Sequence, residues 1–200
     1  MTTTPLDNAA LSKTPMSQLP LSDYEKHRAA FMAKMPNNSI ALFPAASELT
    51  RSNDTEYAFC QNKNFFYLSG FNEPDALLVL LKNEQGQSKS TLFSLPKDAL
   101  HEIWQGRRVG QIKAVQDYGV DESFEVADVT TILPDYLDGK SQVLFGFSDH
   151  DFAAQVFAWL KQVKGNIRQG AKTPQHLTDA DPIVAELRLV KTKNKVDLLC

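Results

Sequence analysis

The sequence predicts an α/β fold in which helices pack on a sheet, and two observations carry that prediction. Strand-like apolar runs and amphipathic helical patterns alternate along the chain instead of segregating, which argues against a helix bundle or an all-β sandwich. One run, Ala76 to Leu81, is apolar throughout and predicts a strand buried on both faces at the centre of its sheet.

Residues 1–20 are rich in Thr, Ser and Pro and bury too little apolar surface to offset the entropy of ordering them, so a mobile tail is expected. Ser22 and Glu25 have the spacing of a capping box, predicting a helix from Ser22 to Met35 with Tyr24, Phe31, Met32 and Met35 on one face. Pro36 and two asparagines stop it, and Ile40 to Phe43 reads as a strand. Phe65 to Leu68 reads as a second strand and Ala76 to Leu81 as a third. The turn-forming NEQGQ at 83–87 then returns the chain through Thr91 to Ser94 as an antiparallel hairpin.

Beyond Pro96 the pattern becomes helical, with a turn expected at Asp98 to Trp104 and a helix over Val109 to Tyr118 that Gly119 ends. Val126 to Leu137 has helical character, interrupted near its end by Pro134. Val143 to Phe147 reads as a strand, Asp151 to Val163 as an amphipathic helix, and Asp181-Pro182 as the start of a last helix carrying Ile183, Leu187 and Val190. No fixed-period repeat or low-complexity linker divides residues 21–190, which are expected to form a single domain.

With 42% hydrophobic and 22% charged residues, the 200-residue chain has the composition of a soluble globular protein. A formal net charge of -3 offers no general attraction for nucleic acid or an anionic membrane surface. Lys191, Lys193 and Lys195 alternate with polar residues and read as a solvated segment. Cys60 and Cys200 are the only cysteines, with no CxxC pair, and the N-terminus lacks the basic start and apolar run of a secretory signal. A cytoplasmic protein without a membrane segment is expected.

Local chemistry is sparse. Gly139-Lys140-Ser141 ends like a phosphate-binding loop, but Pro134 occupies the position that requires the first glycine. There is no GxSxG elbow and no GxGxxG turn. Arg107 and Arg108 have the donors to hold a carboxylate or phosphate bidentately, or serve structurally. His27, His101 and His176 stand apart in the sequence. Asp149-His150-Asp151 precedes a helix, where aspartates stabilise the positive end of the dipole; a small hydrolase using Asp149 and His150 is the rival reading. No nucleophile has a base beside it in the sequence.

The most informative stretch is Arg51 to Pro74, RSNDTEYAFCQNKNFFYLSGFNEP, whose charged, aromatic and turn-forming residues follow no simple helix or strand period. Two readings stand on the residues alone: a site built on a loop, or a core hairpin with a polar lead-in. The longer string RSNDTEYAFCQNKNFFYLSGFNEPDALLVL, with LPKDALHEIWQGRRVG and VAELRLVKTKNKVDLL, closely resembles the N-terminal domain of bacterial aminopeptidase P, the Xaa-Pro aminopeptidase family. The resemblance runs from Pro20 to the end of the chain.

That resemblance implies a mixed β-sheet flanked by helices, related to the creatinase N-terminal domain, in front of a catalytic domain that removes the residue preceding proline. The catalytic domain would begin within residues 191–200 and hold two divalent metal ions, typically manganese, leaving this segment with no metal, cofactor or catalytic residue of its own. The domain's implied work is to shape access for proline-containing peptides and to make homo-oligomer contacts, as a dimer or tetramer. Residue by residue, Asp54 matches an acidic residue facing the cleft, where a carboxylate attracts a substrate ammonium or holds an arginine. Arg168 matches an arginine that would partner it, and Trp104 a tryptophan reaching a neighbouring subunit's active site. The family's usual Tyr-Arg-Gln is Phe59-Cys60-Gln61 here, with Ala58 in place of a proline, so any salt bridge of that arginine is lost. A non-catalytic protein-binding module of the same N-domain type is the alternative.

Overall fold

The computed structural model describes residues 19–52, 55–98, 107–191, 194 and 196. α1 (Leu21–Lys34) leads into β1 (Ser39–Pro44), and a ribbon of β2 (Thr50–Ser52) and β3 (Thr55–Glu56) follows. α2 (Lys63–Ser69) then precedes the hairpin of β4 (Leu77–Lys82) and β5 (Ser88–Ser94). Next come α3 (Gly110–Tyr118), β6 (Glu122–Glu125), α4 (Val129–Leu137) and β7 (Gln142–Phe145). α5 (His150–Gly165), β8 (His176–Asp179) and α6 (Asp181–Leu189) complete the described fold.

The main sheet is six-stranded, in the order β6-β5-β4-β1-β7-β8. β4 is antiparallel to both its neighbours, β1 and β5, whereas the β1–β7, β5–β6 and β7–β8 pairs are parallel. The sheet is therefore mixed, with β4 alone running against the rest, as the resemblance implies. Leu78 and Leu80 of β4 join one apolar cluster with residues of α1, α2, α3 and α6. Leu77, Val79 and Leu81 point the other way, into a second cluster with α4 and α5. Strand alternation thus makes an all-apolar run the centre of three layers.

Four expectations need correction. Phe65 to Leu68 is not a strand but lies in α2: Asn62 Oδ1 accepts from Asn64 N and Phe65 N, and Gly70, at φ 69°, closes the other end. The Ser22–Glu25 capping box does not form, because α1 begins one residue earlier behind Pro20 and has no side-chain cap. Pro134 does not interrupt its helix; α4 continues through it to Leu137, where burial of Val129, Leu133 and Leu137 outweighs the lost hydrogen bond. Strands β6 and β8, one at each sheet edge, were not expected. Residues 1–18 of the expected tail, and most of the turn expected at Asp98 to Trp104, lie outside the described residues.

This topology distinguishes the two ends of the sheet. β1 and β5 run in the same sense, so the chain leaves both at one end, into the Arg51–Pro74 stretch and into the segment before α3. The carboxyl ends of parallel strands, at a point where the chain departs to both sides, are where open α/β sheets commonly place sites. Here β1 is that point, with β4 on one side and β7 on the other.

Candidate functional site

Gln61 organises the first of the two loops. Its Oε1 accepts from Ala46 N at 2.7 Å and Asn62 N at 2.8 Å, while its Nε2 donates to the Glu73 carbonyl at 2.9 Å and more weakly to that of Phe71 at 3.4 Å. One side chain thereby joins the exit of β1, the start of α2 and the return to β4. Tyr57 N also donates to Leu49 O at 2.9 Å, closing the β2–β3 ribbon at its base. Above that neck Leu49 and Tyr57 are exposed, 67% and 59% accessible, so the loop presents apolar surface to solvent.

Glu73 connects this neck to the second loop. Asp75 N donates to Ala46 O and Ala45 N to Ala76 O, so the backbone just after Pro74 is fixed against the end of β1. From that base the Glu73 carboxylate accepts from Val109 N at 2.6 Å. The second loop is itself closed at its foot. Gln111 Nε2 donates to Ser94 O at 3.2 Å, and Gly110, at φ 71°, lets Lys97 approach where a Cβ would stand 3.1 Å from it. A continuous relay, Ala46–Gln61–Glu73–Val109, therefore ties the two necks together.

A second polar chain reaches the last helix. Asn64 Nδ2 donates to Asp181 Oδ1 at 2.8 Å, and Arg188 Nη1 donates to Asn64 Oδ1 at 2.9 Å, so α2 is bonded to both ends of α6. Ser148 Oγ adds a bond to Asp181 Oδ2 at 3.0 Å. Beneath α2, buried Arg28 of α1 donates to Leu68 O, Tyr118 O and Gly119 O, filling acceptors at the carboxyl ends of α2 and α3. Burial pushes the Arg28 pKa down, while Glu25 and Asp121 oppose that shift. Lone polar residues gave no periodic signal for these roles; Gln61 and Glu73 flank α2 as unremarkable turn residues in the sequence.

The residues singled out from the sequence are distributed unevenly. Asp54 and Trp104 lie outside the described residues. Arg168 is exposed, in a 3₁₀ turn over Ile167–Gln169 that follows α5. Because β7, α5 and β8 form a parallel crossover, that turn lies at the amino ends of the strands. It is the opposite end of the sheet from the Gln61 neck. Asp149 caps α5, its Oδ1 accepting from Phe152 N at 3.0 Å, which is the capping role and not a ligand set. His27 Nδ1 lies 2.8 Å from Tyr67 O with its ring stacked on Tyr67, a packed core histidine. Cys60 is exposed. Among the described residues no group of three or more His, Cys, Asp or Glu could hold a metal ion.

Comparison with known proteins identifies the frame in which this geometry belongs. The family model described as "Aminopeptidase P, N-terminal domain" matches residues 24–145. The Xaa-Pro aminopeptidase of Escherichia coli (strain K12) is 35% identical over 185 residues, covering 92% of this chain and 42% of the relative. That of Haemophilus influenzae is 33% identical over 184 residues, covering 92% and 40%. Zn-substituted E. coli aminopeptidase P in complex with product has a TM-score of 0.87 at 35% identity, covering 90% of this chain and 41% of that one. Pseudomonas aeruginosa aminopeptidase PepP gives 0.86 at 34% identity, with the same coverage of 90% and 41%. The chain therefore spans 40–42% of the length of these two curated relatives. With the sequence match and the mixed six-stranded sheet in agreement, this chain belongs to the family of aminopeptidase P N-terminal domains.

Proposed function

We propose that this chain is the N-terminal part of an Xaa-Pro aminopeptidase, which releases the residue preceding proline from the N-terminus of peptides. The observation that carries the proposal is the 35% identity to the E. coli Xaa-Pro aminopeptidase along 92% of the chain. In this proposal two divalent ions, manganese, sit in the catalytic part of the complete protein and not in its N-terminal domain. This domain supplies a wall of the cleft and contacts between subunits of a homo-oligomer. No helix among the described residues is long and apolar enough to cross a membrane. A cytoplasmic location completes the proposal.

Within that wall, Asp54 provides a carboxylate for the substrate's ammonium group, and Trp104 a broad apolar face for a proline-containing peptide at a neighbour's site. Both belong to loops whose necks the Gln61–Glu73 relay holds. Arg168, exposed in the turn that follows α5, keeps a proposed place in the cleft wall as a partner for the Asp54 carboxylate. The test is Trp104→Ala in the complete gene product. It should impair turnover of Ala-Pro and Gly-Pro peptides while leaving metal content unchanged. Wild-type kinetics in that variant would remove Trp104 from the site, and a metal-loaded complete product inactive on such peptides would favour the non-catalytic binding module.

A further inference from the structure

Three lysines among the described residues are half-buried: Lys82, Lys89 and Lys140. Lys82 Nζ donates to the carbonyls of Met32 and Met35 at 3.1 and 2.9 Å, and Lys89 Nζ pairs with Glu122 Oε1 at 2.6 Å. The Lys140 ammonium makes neither a hydrogen bond nor an ion pair with a described residue. Lys140 instead lines a cavity of about 460 Å³, together with Leu81, Asn83, Gln87, Asp135 and Tyr136. The cavity lies between the turn of the β4–β5 hairpin and the carboxyl end of α4, at the end of the sheet opposite the Gln61 neck.

The backbone around Lys140 is committed elsewhere. Gly139 N donates to Lys172 O, Lys140 N to Leu137 O and Ser141 N to Asn38 O, so the Gly139-Lys140-Ser141 amides do not cradle a phosphate. Those bonds fix the residue in the cavity wall and leave its amine without a partner. A half-buried ammonium loses hydration that no neighbour replaces: burial pushes the Lys140 pKa down, and the Glu84 carboxylate opposes that shift. The other charged groups lining the cavity are Asp135 and Asp138 from α4 and Lys89 from β5. Asp138 is engaged by Lys172 N, Lys89 by Glu122, and the Tyr136 hydroxyl donates to Glu122 as well. An unpaired, partly desolvated amine beside a cavity is the arrangement that activates lysine as a nucleophile.

We propose that Lys140 is a site of N-acylation by acyl thioesters, with the cavity admitting the acyl donor. The neutral amine attacks the thioester carbonyl carbon, a C–N bond forms, the C–S bond breaks, and the nitrogen's surplus proton passes to the departing thiolate. The product is an uncharged amide, which a half-buried site holds more readily than an unpaired ammonium. This site is independent of the peptidase reading above.

The experiment treats the complete gene product with limiting S-acetyl-N-acetylcysteamine and follows acetylation of each lysine by peptide mass spectrometry. Rates are taken relative to Nα-acetyl-lysine amide in the same solution. At about pH 8, Lys140 in the folded protein should exceed that standard by roughly fivefold, whereas Lys82 and Lys89, half-buried and bonded, should fall below it. The Lys140 rate should also level off at a lower pH than that of the standard. In concentrated urea the advantage should vanish, because it belongs to the folded environment. Glu84→Gln should speed acetylation of Lys140 by roughly twofold and leave that of exposed Lys161 as it was. A Lys140 rate no greater than the standard's, or an advantage that persists in urea, overturns the proposal. So does a pH profile matching the standard, or a Glu84→Gln variant that reacts like wild type.

Discussion

Gln61 Nε2 donates to the Glu73 carbonyl at 2.9 Å, a contact that bridges the whole of α2 and makes the two flanks of that helix one structural unit. The same amide's oxygen holds Ala46 N and Asn62 N. Truncation would leave these backbone donors and acceptors to find other partners in a half-buried neck. Gln61→Ala should therefore cost about 2 kcal/mol of stability, read as a lowered urea midpoint at constant m-value. Gln61→Glu should not recover the loss, since it places a carboxylate oxygen against the Phe71 and Glu73 carbonyls. An unchanged midpoint in Gln61→Ala would mean that the neck is held by other contacts.

Arg28 performs the matching task beneath α2. Its guanidinium meets carbonyls of Leu68, Tyr118 and Gly119 at 2.6–3.0 Å, and no straight-chain cation reproduces that fork. Arg28→Met keeps the stem's packing but strands these acceptors in the interior, which should cost about 3 kcal/mol. Arg28→Lys should recover only part of it. The measurement is chemical denaturation of the three proteins under one condition, and equal stability of Met and wild-type forms would contradict the assignment.

What the sequence disclosed about the fold followed burial. Ala76 to Leu81, buried on both faces, announced the central strand, whereas β6 and β8 at the edges carry few inward apolar residues and left no run to recognise. Phe65 to Leu68 misled because consecutive aromatics favour strands by propensity, and seven residues are too few for a helical period to stand out. Its end signals, Asn62 before and Gly70 after, were the better guide. Gly70 has a second reason to be glycine, since a Cβ there would lie 2.7 Å from the Tyr24 ring. Neither the loop reading nor the hairpin reading of Arg51 to Pro74 contained the helix at Lys63–Ser69 or the relay at its foot. Gln61 and Glu73 act through backbone groups far along the chain, and such partners have no local spacing to betray them.

Alkaline pH should expose another consequence of the packing around α1 and α3. Burial is the largest cause raising the pKa of Tyr24, Tyr67, Tyr118 and Tyr136, so each stays protonated in the fold at a pH where the unfolded chain has begun to ionise. The unfolded state then binds fewer protons, and stability falls as pH rises above about 10. Lys140 works in the opposite sense: burial lowers its pKa, so the unfolded state binds more protons there and stability rises with pH through that window. Tyr24→Phe combined with Tyr118→Phe should reduce the fall in urea midpoint between about pH 8 and about pH 10.5 relative to wild type. Equal falls in both proteins would remove these tyrosines as the cause. The charge of Glu73 is one of the influences holding the Tyr118 pKa up. Glu73→Gln should therefore also shallow the alkaline decline, while Asp149→Asn, remote at the start of α5, should not.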